Sequence, residues 1–475
     1  MKVPNIISSK FLREYMMVFM VNLSVVSVGM SIGWPSPMLL KLQDPSQTNL
    51  SRPITVEEGS WLVSLGTLLG VFCNIPSGYL IDWIGRKRTL LLMILPKMCG
   101  SFLLIYGREV WVLIFGRSLI CLCDSIMFVA IPVYSSELAG KEHRGTLGTF
   151  LHIFCSLGIV ITFAVGPFVS YITFNIILAC MIAGTGIPLL FLVDSPYHAY
   201  SKGKIAEATK NLIYLRGSEA AAKLELEEYK NTKDDPKVDK TSLIRSKLFW
   251  KSLALACLVS GGSQIIGYNA VSFYTQTILE SSNTNVRSEI GSVIVGVIQL
   301  LASFCTAPIS DKFGRRSILI ASLLSILIGM VGLGTFFQIS VDPGYEVKGF
   351  LNYLPTASLV IITFGFSAGI GSINWIISAE MFEGPARAFG VSIVLSLTMF
   401  IIFILTKYFA FLTLTLGAAN TYWIFSTSCA VILTLIFLFV PETKGKSFNE
   451  IQKILTERTL NFRNTVAKRE DSGNA

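Results

Sequence analysis

Charge is what this sequence has least of. Asp, Glu, Lys and Arg make up 15% of its 475 residues, against about 25% in ordinary soluble domains, which argues against a soluble enzyme. The three histidines, His143, His152 and His198, are scattered and build neither a metal cluster nor an imidazole-based catalytic constellation. There is no phosphate-cradling glycine loop and no nucleophile–base pattern, so no cofactor or metal is called for. The nine cysteines (Cys73, Cys99, Cys121, Cys123, Cys155, Cys180, Cys257, Cys305, Cys429) sit inside apolar stretches. They lack metal-ligand spacing and the loop positions of a secreted disulfide framework, and are expected to be reduced and structural. The net charge of +9 comes without a basic face interleaved with aromatics, which excludes nucleic acid as a partner.

What is present is apolar length. Hydrophobic residues are 52% of the chain and the mean hydropathy is +0.62. A membrane helix takes about 20 apolar residues, so twelve crossings use about half the chain. Apolar runs between charged or Pro/Gly-rich breaks place spans near 14–38, 60–81, 89–106, 110–133, 146–168 and 173–193, then 250–279, 290–310, 317–338, 352–378, 388–412 and 420–440. The one long polar segment runs from Asp194 to Trp250, with amphipathic helical stretches at 204–215 and 218–229. Lipid cannot hydrogen-bond a backbone, and continuous apolar runs lack the alternation of a barrel. The expected fold is an all-α membrane protein. Residues 1–193 form one six-helix bundle, 194–249 a cytoplasmic helical linker, 250–441 a second bundle and 442–475 a cytoplasmic tail. The first span lacks a clear cleavage site and reads as a retained anchor.

Orientation follows from Lys and Arg. With the N-terminus in the cytoplasm, most of the 39 basic residues fall inside, both termini are cytoplasmic, and the Asn49-Leu50-Ser51 glycosylation sequon falls outside.

Because charges are rare, their repeated spacing is informative. Asp82-Trp83-Ile84-Gly85-Arg86-Lys87-Arg88 follows the second span, and Asp311-Lys312-Phe313-Gly314-Arg315-Arg316 follows the eighth. Glu137 precedes Arg144 after the fourth span by the same interval that separates Glu380 from Arg387 after the tenth. Asp194-Ser195-Pro196 closes the sixth span as Pro441-Glu442-Thr443 closes the twelfth. Three matched pairs argue for a duplicated six-helix unit, and two parallel halves about an axis normal to the membrane are a transporter architecture. The arginines can meet Glu137 and Glu380 bidentately while Asp82 and Asp311 sit at turns. The expectation is a cytoplasmic charge latch of Asp82, Arg86, Glu137, Arg144, Asp311, Arg315, Glu380 and Arg387 that biases two arrangements of the halves.

These segments, with Gly78-Tyr79-Leu80-Ile81-Asp82, Gly116-Arg117, Pro132-Val133-Tyr134-Ser135-Ser136-Glu137, Gln264 through Tyr274 and Pro441-Glu442-Thr443-Lys444-Gly445, resemble the sugar porter family of the major facilitator superfamily. Within it they are similar to animal facilitative glucose carriers and the insect trehalose-transporter-like group. The resemblance covers almost the whole chain. It implies alternating access by rocking of two halves, with no cofactor and no bond chemistry, in the cell membrane and as a monomer.

Sugars offer vicinal hydroxyls and apolar C–H faces, so their site needs amides and an aromatic platform. In the seventh span Gln264 and Asn269 would lie about 140° apart on a regular helix. The family motif places both at the sugar, with Ser263 where a second Gln is usual. It also makes Tyr274 an outer gate, Gln299 the counterpart of an Asn, and Trp375 the sugar-facing tryptophan. His152 stands where glucose carriers have a Gln, with Ser156 as a nearby polar alternative. The prolines usual before the tryptophan are missing from Gly371-Ser372-Ile373-Asn374-Trp375, where Gly365, Gly369 and Gly371 can supply flexibility. Thr398-Met399 replaces an Asn-Trp pair, and Tyr197 an Arg.

Four intramembrane charges, Lys97, Arg117, Asp124 and Lys407, are functional candidates because each is costly in lipid. Arg117 matches the family's Gly-Arg, which in proton-coupled relatives works with an acid in the first span. Here that stretch is Gly29-Met30-Ser31-Ile32-Gly33. The expectation is therefore facilitated diffusion of a hexose or trehalose. Proton coupling through Asp124 is one alternative, against Asp124 pairing with Lys97. A non-transporting sugar sensor is another.

Overall fold

The computed structural model describes residues 9–140, 147–233, 247–340, 349–382, 384–442, 444 and 450. Arg144 lies outside the described residues, and so do the side chains of Asp311, Trp375, Glu380 and Arg387. Twelve of the described helices are long and apolar enough to cross a membrane: Leu12–Gln43, Val56–Asn74, Arg86–Tyr106, Val110–Leu138, Phe150–Phe168 and Tyr171–Leu190, then Phe249–Phe273, Ser288–Thr306, Arg315–Ile339, Leu354–Asn374, Gly390–Leu416 and Ala418–Phe439. Among the described residues there is no strand, as expected where every backbone group must be satisfied within its own segment.

The packing repeats with the sequence. In the first half the first span packs on the fifth, the second on the fourth, the third on the fourth and the third on the sixth. In the second half the seventh packs on the eleventh, the eighth on the tenth, the ninth on the tenth and the ninth on the twelfth. Each pair is the other advanced by six spans. The main contacts between halves obey the same operator, second on eleventh and fifth on eighth. This is the two-fold pseudo-symmetry that matched charge motifs imply.

Lipid tails are as apolar as leucine, so helices in a membrane associate through close packing at small residues. The first and fifth spans cross in this way: a Cβ on Gly29 would stand 2.0 Å from the Cys155 carbonyl oxygen, and one on Gly158 2.1 Å from that of Val26. The outer faces carry the large apolar side chains, among them Leu95, Phe72, Trp111 and Phe115. The polar linker forms helices Pro196–Ser201, Ile205–Arg216 and Glu219–Lys233 at the end of the bundle that carries Asp82 and Glu137.

Several spans are not single helices. The first is broken at Trp34 into Ser9–Gly33 and Pro35–Gln43. The seventh, expected to be continuous, is three pieces, Lys247–Ile265, Tyr268–Phe273 and Thr275–Ser281. The tenth contains a π turn, Phe366–Ile370, between Leu354–Gly365 and Gly371–Glu380.

Candidate functional site

Gly267 sets the geometry of the seventh span. Its φ of +82° is left-handed, and a Cβ there would meet the Phe425 ring at 2.7 Å, so only glycine fits without strain. The break overturns the regular-helix separation of Gln264 and Asn269. The Asn269 amide now donates to Gln264 Oε1, while Gln264 Nε2 donates to Ser263 Oγ at 2.9 Å. Gln264 is buried and Asn269 half-buried. The two amides satisfy each other, a pairing that sugar hydroxyls can replace at little cost.

Spans of both halves bury further polar groups. Gln299 is buried in the eighth span. His152, in the fifth, turns its ring to the Ser367 main chain of the tenth, and its Nε2 is buried without a hydrogen-bond partner. Ser156, one turn on, is fully buried, its hydroxyl likewise without a partner. Beside Trp375, Asn374 Oδ1 accepts from Ser260 Oγ at 2.5 Å, tying the tenth span to the seventh. That contact was not among the expectations; its one signal was a further amide in an apolar run. Nor was Tyr268, whose ring stacks on Phe366 at 3.5 Å between centroids and 7° between planes.

Tyr274 packs within its own half: its hydroxyl donates to the Thr406 carbonyl at 3.4 Å and its ring lies 5.0 Å from Phe409. The contacts that join the halves at this end are others. The Gln276 backbone donates to Ser36 Oγ at 3.0 Å. Lys407, in the eleventh span, donates to Ser60 Oγ of the second at 2.8 Å and stands 4.1 Å from the Trp61 ring centroid. Asn49 is at the same end, its amide donating to the Gly107 carbonyl at 3.3 Å.

At the linker end Arg86 is the hub of a network. Its Nε and Nη2 donate to Glu137 Oε1 at 3.1 and 2.9 Å, and its Nη1 meets Asp82 at 2.9 Å. The expected bidentate fork is not formed on Glu137, because Ser195 Oγ donates to the other carboxylate oxygen. His198 Nε2 lies 3.2 Å from the Asp82 carbonyl; burial, with the neighbouring Arg86 charge, holds its pKa below the ordinary value. Asp82, Arg86 and Glu137 belong to the first half, and Ser195 and His198 to the linker. In the second half the equivalent helix start is capped by Glu442, which accepts from the backbones of Arg315 at 2.7 Å and Arg316 at 3.1 Å, anionic groups being favoured at a helix N-terminus.

The buried charges have local partners. Arg117 donates from Nη1 to Ser31 Oγ and from Nη2 to the Ser31 carbonyl, both at 2.6 Å, and lies over the Trp34 ring at 5.4 Å. Lys97 meets Asp124 at 2.5 Å and donates to Ser27 Oγ at 3.0 Å.

Residues 19–455 match the family described as Sugar (and other) transporter. The chain is 30% identical to the facilitated trehalose transporter Tret1 of Polypedilum vanderplanki, over 92% of this chain and 87% of that one. It is 31% identical to Tret1 of Anopheles gambiae over 92% of its own length and spans 55% of that longer protein. Among solved structures, the partially occluded inward open conformation of the xylose transporter XylE from E. coli matches with a TM-score of 0.76 at 18% identity, covering 93% of this chain and all of that one (100%). The inward open conformation of XylE matches with a TM-score of 0.73 at 19% identity, covering 93% and 99%. Helix count, repeated packing and family match agree: the chain belongs to the Sugar (and other) transporter family and has the fold of the major facilitator superfamily.

Proposed function

We propose that this protein carries a hexose or trehalose down its concentration gradient by alternating access, as a monomer in the cell membrane with both termini in the cytoplasm. The observation that carries the reading is the Gln264–Asn269 amide pair at the left-handed break of the seventh span. It provides donors and acceptors already desolvated, which a carbohydrate hydroxyl can take over. Gln299, Trp375 and His152 complete the site in this reading, and Tyr274 gates it. The halves 1–193 and 250–441 rock about the contacts of the second with the eleventh span and the fifth with the eighth. Ser36–Gln276 and Lys407–Ser60 hold the outer end together, while the linker-end charge network steadies the first half.

Absence of proton coupling rests on where the buried charges are spent. Arg117 donates to two Ser31 oxygens, acceptors that do not titrate, and Asp124 is paired with Lys97.

The test is sugar uptake by the full chain in liposomes. Labelled glucose or trehalose is expected to equilibrate, with no accumulation under an acid-outside gradient. Gln264→Ala is expected to raise the half-saturating sugar concentration about tenfold, the worth of one or two hydrogen bonds. Accumulation driven by the proton gradient, abolished in Asp124→Asn, would establish symport instead.

A further inference from the structure

Three buried polar atoms grouped at Ser367 have no hydrogen-bond partner: Tyr268 Oη, Ser367 Oγ and His152 Nε2. They come from the seventh, tenth and fifth spans, so both halves contribute. Tyr268 is 4% exposed and Ser367 fully buried. The phenol hydroxyl faces the side chains of Ser367 and of Ser272, one turn on in its own helix, without completing a hydrogen bond to either, and His152 faces the main chain of Ser367. Unsatisfied buried polar groups are costly, and three converging on one place mark where a polar guest belongs.

The position of Tyr268 gives this cluster a second meaning. The side chain follows directly on Gly267 and directly precedes Asn269, so the break that pairs the amides also directs this ring. One face of its ring is taken by Phe366, the first residue of the π turn, and offers no platform to a sugar there. What remains is a buried ring next in sequence to Asn269 and a hydroxyl at its tip. The short helix that carries it, Tyr268–Phe273, also packs on both pieces of the first span, leaving little room on the side of the other half.

We infer that Tyr268 sets the length of the sugar: with its ring stacked on Phe366 it closes the chamber one ring beyond the amides, so the site takes a monosaccharide and excludes a disaccharide. Its hydroxyl, Ser367 and His152 receive the far hydroxyl of that single ring. This rests on the transport reading given above.

The experiment compares labelled D-glucose and labelled trehalose in liposomes holding the full chain, as wild type, Tyr268→Phe and Tyr268→Val. Wild type is expected to favour glucose over trehalose at least tenfold in kcat/KM. Tyr268→Phe keeps that preference and raises KM for glucose several-fold, because the ring stays and the hydroxyl goes. Tyr268→Val narrows the preference at least tenfold by admitting trehalose. The ratio between the two sugars, taken on one preparation, does not move if the side chain only supports folding, and residual glucose uptake reports that each variant is folded. Wild-type trehalose uptake as fast as that of glucose, or a Val variant that slows both sugars alike, overturns the inference and leaves sugar transport standing. Absence of uptake of either sugar by wild type overturns the transport reading and the inference together.

Discussion

Lys97 and Arg117 are both cations deep in the first half, and the fold satisfies them differently. Arg117 is held by a neutral serine, hydroxyl and carbonyl together, while Lys97 is held by the carboxylate of Asp124. Both cations were legible as intramembrane charges, and Lys97 was a named partner for Asp124. Ser31 was not legible as the partner of Arg117, because a serine in an apolar run carries almost no signal of its own. Taking either member of a buried ion pair away leaves the other uncompensated, at about 3–5 kcal/mol, whereas replacing both by apolar residues is often neutral. Asp124→Asn is therefore expected to lower the melting temperature of the detergent-purified protein sharply. The double variant Lys97→Met, Asp124→Leu is expected to recover most of that loss and to retain sugar flux. A stable double variant without flux would point to the carboxylate as part of the transport step.

At the scale of elements, hydropathy located the spans but not their breaks. The seventh and tenth spans have enough apolar residues for continuous helices, and length arguments see nothing else. The tenth lacks the family's prolines and carries a π turn, at whose start and within which glycines pack tightly: a Cβ on Gly365, just before the turn, would stand 2.6 Å from Ser325, and one on Gly369, inside it, 2.5 Å from Ser322. The linker helices at 204–215 and 218–229 were legible from amphipathic pattern. What binds them to the bundle was not. Arg216 is buried between Glu14 of the first span and Glu225 of helix Glu219–Lys233, each at 2.7 Å, and also donates to the Leu138 carbonyl at 2.9 Å. Glu14 is only 2% exposed, so Arg216→Ala strands a buried carboxylate, again at about 3–5 kcal/mol. The expected outcome is release of helices Ile205–Arg216 and Glu219–Lys233, read as faster cleavage in limited proteolysis.

For the whole molecule, the consequential contacts are the few that cross between halves, since these must break and re-form if the halves rock. Lys407 is the clearest: an ammonium that would be costly in lipid lies over Trp61 and on Ser60 of the opposite half. A cation–π contact contributes about 0.5–2 kcal/mol, enough to shift a two-state balance severalfold. Lys407→Ala is expected to loosen that end of the molecule. Hydrogen exchange should quicken in Pro35–Gln43 and Thr275–Ser281, the helices joined by Ser36 and Gln276. Unchanged exchange there would mean that the lysine does not help to hold the end closed.

The sequence by itself determined the number of spans, the all-helical class, the duplication and the family. Each of these is additive along the chain: apolar length counts residues, and a repeated charge motif needs no knowledge of neighbours. Tertiary structure alone decided that Gln264 and Asn269 touch, that Arg86 shares Glu137 with a serine from beyond the sixth span, and that Tyr268 lies flat on Phe366. Those depend on a single left-handed glycine and on where helices distant in sequence cross. A one-dimensional pattern records a residue's type and spacing, but a contact is fixed by the packing of all twelve helices at once.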